Sequence, residues 1–135
     1  RAAPCPAEAV GRTTCDFTGS RVRGAPPWSV NVGAAYQLPI GSSGYQAYVA
    51  GDWSHVASYQ VELSSYTAID AYDLLNARIG VRGQSDRWDV WLWARNLLNE
   101  DYYALLGVGG SFNSGMVYGL TADPRTYGAS VRVSY

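Results

Sequence analysis

Histidine is the side chain best suited to proton transfer near neutral pH, and this chain has one, His55. A lone imidazole needs an oriented partner and a nucleophile before it catalyses anything. Aspartates are present, but no spacing pairs one with His55, so no Ser/His/Asp set is indicated. One histidine and two cysteines far from it in sequence do not make a zinc site either. The cysteines, Cys5 and Cys15, share one polar Pro/Gly/Thr segment. They read as a loop disulfide, which an oxidising compartment would favour and which would add roughly 2–3 kcal/mol in the chain-entropy account. The other reading is two free thiols, and the spacing excludes a redox motif. The run Gly107-Val108-Gly109-Gly110-Ser111 is not a phosphate loop, because it lacks the Gly-Lys-Ser/Thr ending and no helical pattern follows. A formal net charge of −1 gives no electrostatic footprint for nucleic acid. These residues point away from catalysis: the chain is expected not to be an enzyme and to have no catalytic, cofactor-binding or metal-ligating set.

The elements that position the remaining charges are strands. After Pro26-Pro27, the residues Trp28, Val30, Val32, Ala34, Tyr36 and Leu38 share one parity, and Ser29, Asn31, Gly33, Ala35 and Gln37 share the other. Alternation of this kind means a strand with one apolar and one polar face. A second strand runs from Tyr45 to about Ser58, with Tyr45, Ala47, Val49, Gly51 and Trp53 as its apolar set. A third, about 72–82, places Leu75, Ala77, Ile79 and Val81 outward and Asn76, Arg78, Gly80 and Arg82 inward. Tyr72 and Leu74 fall off that pattern. A fourth, 88–95, faces Trp88, Val90, Leu92 and Ala94 outward and Asp89, Trp91, Trp93 and Arg95 inward. The last, 124–135, alternates Tyr127, Ala129, Val131, Val133 and Tyr135 with Thr126, Gly128, Ser130, Arg132 and Ser134.

Three regularities favour a membrane barrel over a soluble sandwich. Connections alternate long and short: 1–25, 39–44, 59–71, 83–87 and 97–123. Outer-membrane barrels join strands by short periplasmic turns and long extracellular loops, which puts the C-terminus on the periplasmic side and residues 1–25 outside. Aromatic residues recur eight apart on one face, at Trp28 and Tyr36, Tyr45 and Trp53, and Tyr127 and Tyr135. That interval spans roughly 20 Å along the membrane normal for strands rising about 3.3 Å per residue and tilted about 40°, close to the outer apolar band. With Trp88 these form an expected aromatic girdle. Finally, Asp52, Arg78, Arg82, Asp89, Arg95 and Arg132 all carry the inward parity, together with Trp93. An Arg facing lipid at the midplane would cost about 2–4 kcal/mol, so this segregation is expected of a barrel wall. One antiparallel register sets Arg82 against Asp89 and Trp91 over Gly80. A register two residues over sets Arg78 against Trp91 in a cation–π contact.

Two motifs then carry a resemblance. Asn96-Leu97-Leu98-Asn99-Glu100-Asp101-Tyr102, a long loop, and Pro124-Arg125-Thr126-Tyr127-Gly128 leading to a strand that ends on Tyr135 resemble the C-terminus of TonB-dependent outer-membrane receptors. The family pattern there is Asn-Leu-x-[Asp/Asn]-x-x-Tyr, a loop, Pro-Arg-x-[Tyr/Phe]-Gly and a final strand closing on an aromatic residue. Asn99 stands where Asp is commoner. The resemblance implies an all-β fold, an antiparallel transmembrane β-barrel segment forming the last five or so strands of a 22-stranded barrel. Residues 1–135 would be the C-terminal portion, with 1–25 an extracellular loop and 26–135 the strands. The sequence begins without Met and in what reads as mid-loop, so a longer polypeptide is expected.

The resemblance also implies the function: TonB-dependent uptake, across the outer membrane of a Gram-negative bacterium, of a bulky scarce nutrient of the ferric siderophore, cobalamin, haem or glycan type. The implied partners are outer-membrane lipid, an N-terminal plug domain and upstream strands of the same protein, TonB, the outer-membrane assembly machinery and a small-molecule or metal-chelate substrate. Asp52, Arg78, Arg82, Asp89, Trp93, Arg95 and Arg132 would face the lumen and plug. Phe112, Met116 and Tyr118, in a Gly-rich loop that mixes aromatic and apolar groups, are the expected substrate contacts. The alternative is a stand-alone small β binding module or an oligomeric pore, since five strands do not close a barrel alone.

Overall fold

In the computed structural model, residues 22–42, 44–62, 67–84, 87–109 and 116–134 are described. Their regular elements are all strands, with no α-helix, grouped into two compact units. The unit that carries the charged residues is a five-stranded sheet of β1 (Ser29–Ile40), β2 (Tyr45–Val56), β5 (Tyr72–Arg82), β6 (Trp88–Arg95) and β9 (Thr126–Val133), in that order across the sheet. The strands correspond to the five alternating segments, because a period of two is what a pleated strand with unlike faces requires. β1 runs two residues further than the pattern suggested, to Ile40. The chain then reverses through Gly41 and Gly44, both left-handed (φ 59° and 74°), a region glycine enters without penalty.

The β5–β6 and β6–β9 ladders are antiparallel and fix the register. Arg82 faces Asp89 and Gly80 faces Trp91 on one side of β6, while Asp89 faces Arg132 and Trp91 faces Ser130 on the other. Of the two registers open in the sequence, the structure has the one that pairs opposite charges. The turn between β5 and β6 is closed by Gly83 N–H donating to the Trp88 carbonyl at 2.9 Å.

Large apolar residues of this sheet are exposed. Val32 is 57 % exposed, Leu92 59 % and Val131 67 %. Contiguous exposed apolar surface of this kind is a feature of interaction sites.

The second unit is built on two small hairpins. β3 (Tyr59–Gln60) pairs with β4 (Ala68–Ile69), and β7 (Tyr103–Gly109) pairs with β8 (Met116–Thr121). Its core is Ala57, Thr67, Ile69 and Leu106, all buried. Thr67 Oγ1 accepts from Glu62 N–H at 3.2 Å, so its hydroxyl is satisfied where it is buried. Tyr72 and Tyr102 stack with ring centroids 4.1 Å apart. Both hairpins lie in segments that read as loops, 59–71 and 97–123. In β7–β8 the alternation is broken by a bulge between Tyr103 and Leu105, and the glycines look like turn signals. Pairing shows their purpose: Gly107 lies opposite Tyr118, Gly109 opposite Met116 and Gly119 opposite Leu106. Each small residue makes room for a large one across the ladder.

Candidate functional site

The polar face of the five-stranded sheet is where the chemistry-bearing side chains converge. Three large rings on it lie across glycines or beside them. The Tyr48 ring covers Gly80, where an added Cβ would sit 2.6 Å from the ring, and Trp91 flanks the same glycine. Trp93 covers Gly128 in the same way, at 2.7 Å. A ring laid over a glycine on the next strand fills the gap left by the missing side chain and fixes the register.

The rings in turn hold the charges. Tyr48 Oη donates to Asp89 Oδ1 at 2.9 Å. Arg82 donates through Nε and Nη2 to Asp89 Oδ2 at 3.4 and 3.3 Å, and its guanidinium lies 5.5 Å from the Tyr48 ring centre. Asp89 is only 5 % exposed. A buried carboxylate is tolerated when both oxygens have donors and a cation stands nearby, as here. Arg132 flanks Asp89 from β9. Further along β6, Trp93 Nε1 donates to Ser130 Oγ at 3.1 Å, and Arg95 sits 5.5 Å over the Trp93 ring. Asn76 Nδ2 donates to Asp52 Oδ2 at 2.6 Å. Glycines and alanines of β1 and β2, with Asp52, Arg78, Trp91, Trp93 and Arg95, border an open concavity of about 860 Å³ on this face.

Asp52, Arg78, Trp93 and Arg95 border this concavity, and Arg78, Arg82, Asp89 and Arg132 border a second, smaller one on the same face. Tyr48 and Ser130 complete the arrangement. Nothing in their residue types singled them out; the signal was their inward parity beside Gly80 and Trp93, which becomes a contact only once the register is known.

Asn96 is the second feature that pattern matching could name but not explain. It is 6 % exposed and left-handed at φ 49°. Its N–H donates to Asn76 Oδ1 at 3.1 Å. Its side-chain Nδ2 donates to the carbonyls of Glu100 (2.9 Å) and Asp123 (3.2 Å), and its Oδ1 accepts from Glu100 N–H at 2.9 Å. One residue thus ties the end of β6 to β5 and to the segment entering β9. Leu97 N–H adds a bond to the Leu75 carbonyl at 2.8 Å. Asn99, also left-handed (φ 56°), occupies a conformation that Asn and Asp enter more easily than other side chains.

Of the expected girdle residues, Tyr36, Tyr45, Trp53 and Tyr127 are exposed on strands of the sheet, and Trp28, just before β1, is exposed too. Trp88 lies across Gly83 and reaches the Tyr45 ring, centroids 5.8 Å apart. In the β6–β9 ladder Trp88 faces Val133 at one end and Tyr127 faces Ala94 at the other, so aromatic groups stand at both ends of the apolar stretch. Tyr135, Cys5, Cys15 and Phe112 lie outside the described residues. Met116 and Tyr118 are exposed on β8 rather than on a loop.

His55 differs from expectation. Its Nδ1 lies 2.9 Å from Asp73 Oδ1, a pairing that sequence spacing did not reveal because it joins β2 to β5. The Trp53 ring is 6.1 Å from the imidazole. Among the described residues no group of His, Cys, Asp or Glu is arranged to hold a metal ion. No known protein family matches the sequence, and no solved structure matches the chain. No helix among the described residues is long and apolar enough to cross a membrane, a statement that does not bear on strands.

Proposed function

We propose that this chain is a sector of an outer-membrane β-barrel, and that the barrel is a TonB-dependent receptor importing a bulky, scarce nutrient. The observation that carries the first step is the contrast between the two faces of one sheet. One face is apolar, uncovered and bounded by Trp and Tyr at its ends. The other gathers a buried carboxylate, its arginine and its hydrogen-bonded rings. A lipid-facing outer wall and a water-filled or plugged lumen call for this division. The long edge strand β1, exposed along all its length, supports it too. An unprotected edge invites pairing, and further strands of the same polypeptide would supply it.

The second step, from barrel to receptor, rests on the resemblance of residues 96–102 and 124–128 to the receptor C-terminus. The bonds of Asn96 give that motif a physical role here, joining the strand before the loop to the strand after it. Transport through a plugged barrel, rather than catalysis, is the activity proposed; the lumen face would meet a plug and the hairpins would meet substrate. The polypeptide carrying this sequence is expected to fractionate with outer membranes and to migrate faster unheated than boiled in detergent gels, as closed barrels do. Full solubility without detergent would end the membrane reading. Loss of energised nutrient uptake on deleting the polypeptide, restored only when TonB is present, would test the receptor step separately.

A further inference from the structure

We propose that a small pocket on the polar face, bordered by Gln37, Tyr48, Arg78, Arg82, Asp89 and Arg132, is an oxyanion site that takes one carboxylate or phosphate group. Its volume is about 90 Å³, room for about three waters at roughly 30 Å³ each and so for a single such group. Three arginines and one aspartate border it. Both oxygens of that carboxylate already accept, Oδ1 from Tyr48 and Oδ2 from Arg82. Arg132 stands directly across the ladder from Asp89; Arg132 and Arg78 are exposed and make no hydrogen bond or ion pair among the described residues, so their donors are open to a ligand. Excess positive charge in a recess with a buried wall attracts an anion, and guanidinium forks match the geometry of carboxylate and phosphate oxygens. The group comes either from a free solute or from an acidic side chain of the same polypeptide lying against this face. The proposal stands on the geometry of the polar face and not on the membrane reading.

Phenylglyoxal, which modifies guanidinium groups, separates the cases. The full polypeptide carrying this sequence is treated folded and denatured, with and without inorganic phosphate at constant ionic strength, and modification of Arg78 and Arg132 is followed by peptide mass spectrometry. A free solute as the source predicts reaction near the denatured rate without phosphate and about tenfold slower reaction at phosphate near ten times its dissociation constant. A seated acidic side chain predicts slow reaction in both conditions, together with a lower melting temperature for the R78Q/R132Q double variant, which strands that carboxylate. Fast reaction in both conditions overturns the proposal. So does slow reaction in both with a double variant that melts at or above the parent, because Arg78 and Arg132, exposed on this face, would then be covered by something that does not pair with them.

Discussion

Asn96 and Tyr48 show how much one side chain settles in this sheet. Asn96 uses its backbone N–H, its Nδ2 and its Oδ1, all in a nearly buried position with a left-handed backbone. Truncation to alanine removes the side-chain bonds to Glu100 and Asp123 and keeps an unfavourable φ. A loss of about 2–4 kcal/mol is expected, read from denaturant unfolding of the folded polypeptide. Asn99 shares the φ region but is exposed, so Asn99→Gly should change stability by less than about 0.5 kcal/mol. An Asn96→Gly variant as stable as the parent would show that conformation, not bonding, gives the motif this asparagine. Tyr48→Phe keeps the ring over Gly80 and removes one donor to Asp89. The expected loss is about 1–3 kcal/mol. The same substitution in an Asp89→Asn background should matter much less, because the charge that needs the donor is gone. Additive losses in that cycle would mean the hydroxyl does not serve Asp89.

At the scale of elements, the five strands of the sheet were legible because each carries unbroken alternation over about four or more pairs of residues. The two hairpins were not. β3 and β4 are two residues each, too short for any period, and β7–β8 interrupts its alternation with glycines and a bulge. Partner-dependent features share that fate: His55 meets Asp73, and Tyr48 meets Asp89, across sequence distances that no local pattern records. The glycines test the ring-over-glycine account directly. A methyl group at Gly80 would collide with the Tyr48 ring and Trp91 Cβ, whereas one at Gly33 finds its nearest neighbour at 3.8 Å. Gly80→Ala is expected to destabilise the fold by about 1–3 kcal/mol and Gly33→Ala by less than about 0.5 kcal/mol. Thermal unfolding of the two variants side by side decides it, and a tolerant Gly80 would mean that the ring is not held there.

For the whole molecule the question is what covers the apolar face. Val131 and Val90 lie opposite each other on it, and Val131 is two-thirds exposed. If lipid is the cover, a charge placed there must be dragged into hydrocarbon. Val131→Arg should then cost about 2–4 kcal/mol and sharply reduce the heat-modifiable folded form in outer membranes. Gln46 has the opposite parity on β2 and is exposed, so Gln46→Arg should assemble normally. A protein partner or a second sheet as the cover would also reject Val131→Arg, so depth supplies the discriminating measurement. Penalties in lipid fall toward the interfaces, so arginine at Val133, next to the aromatic end, should be tolerated better than arginine at Val131. A packed protein interface has no such gradient, and equal rejection at both positions would point to one. The same face therefore carries both the argument for a barrel and the means of refuting it.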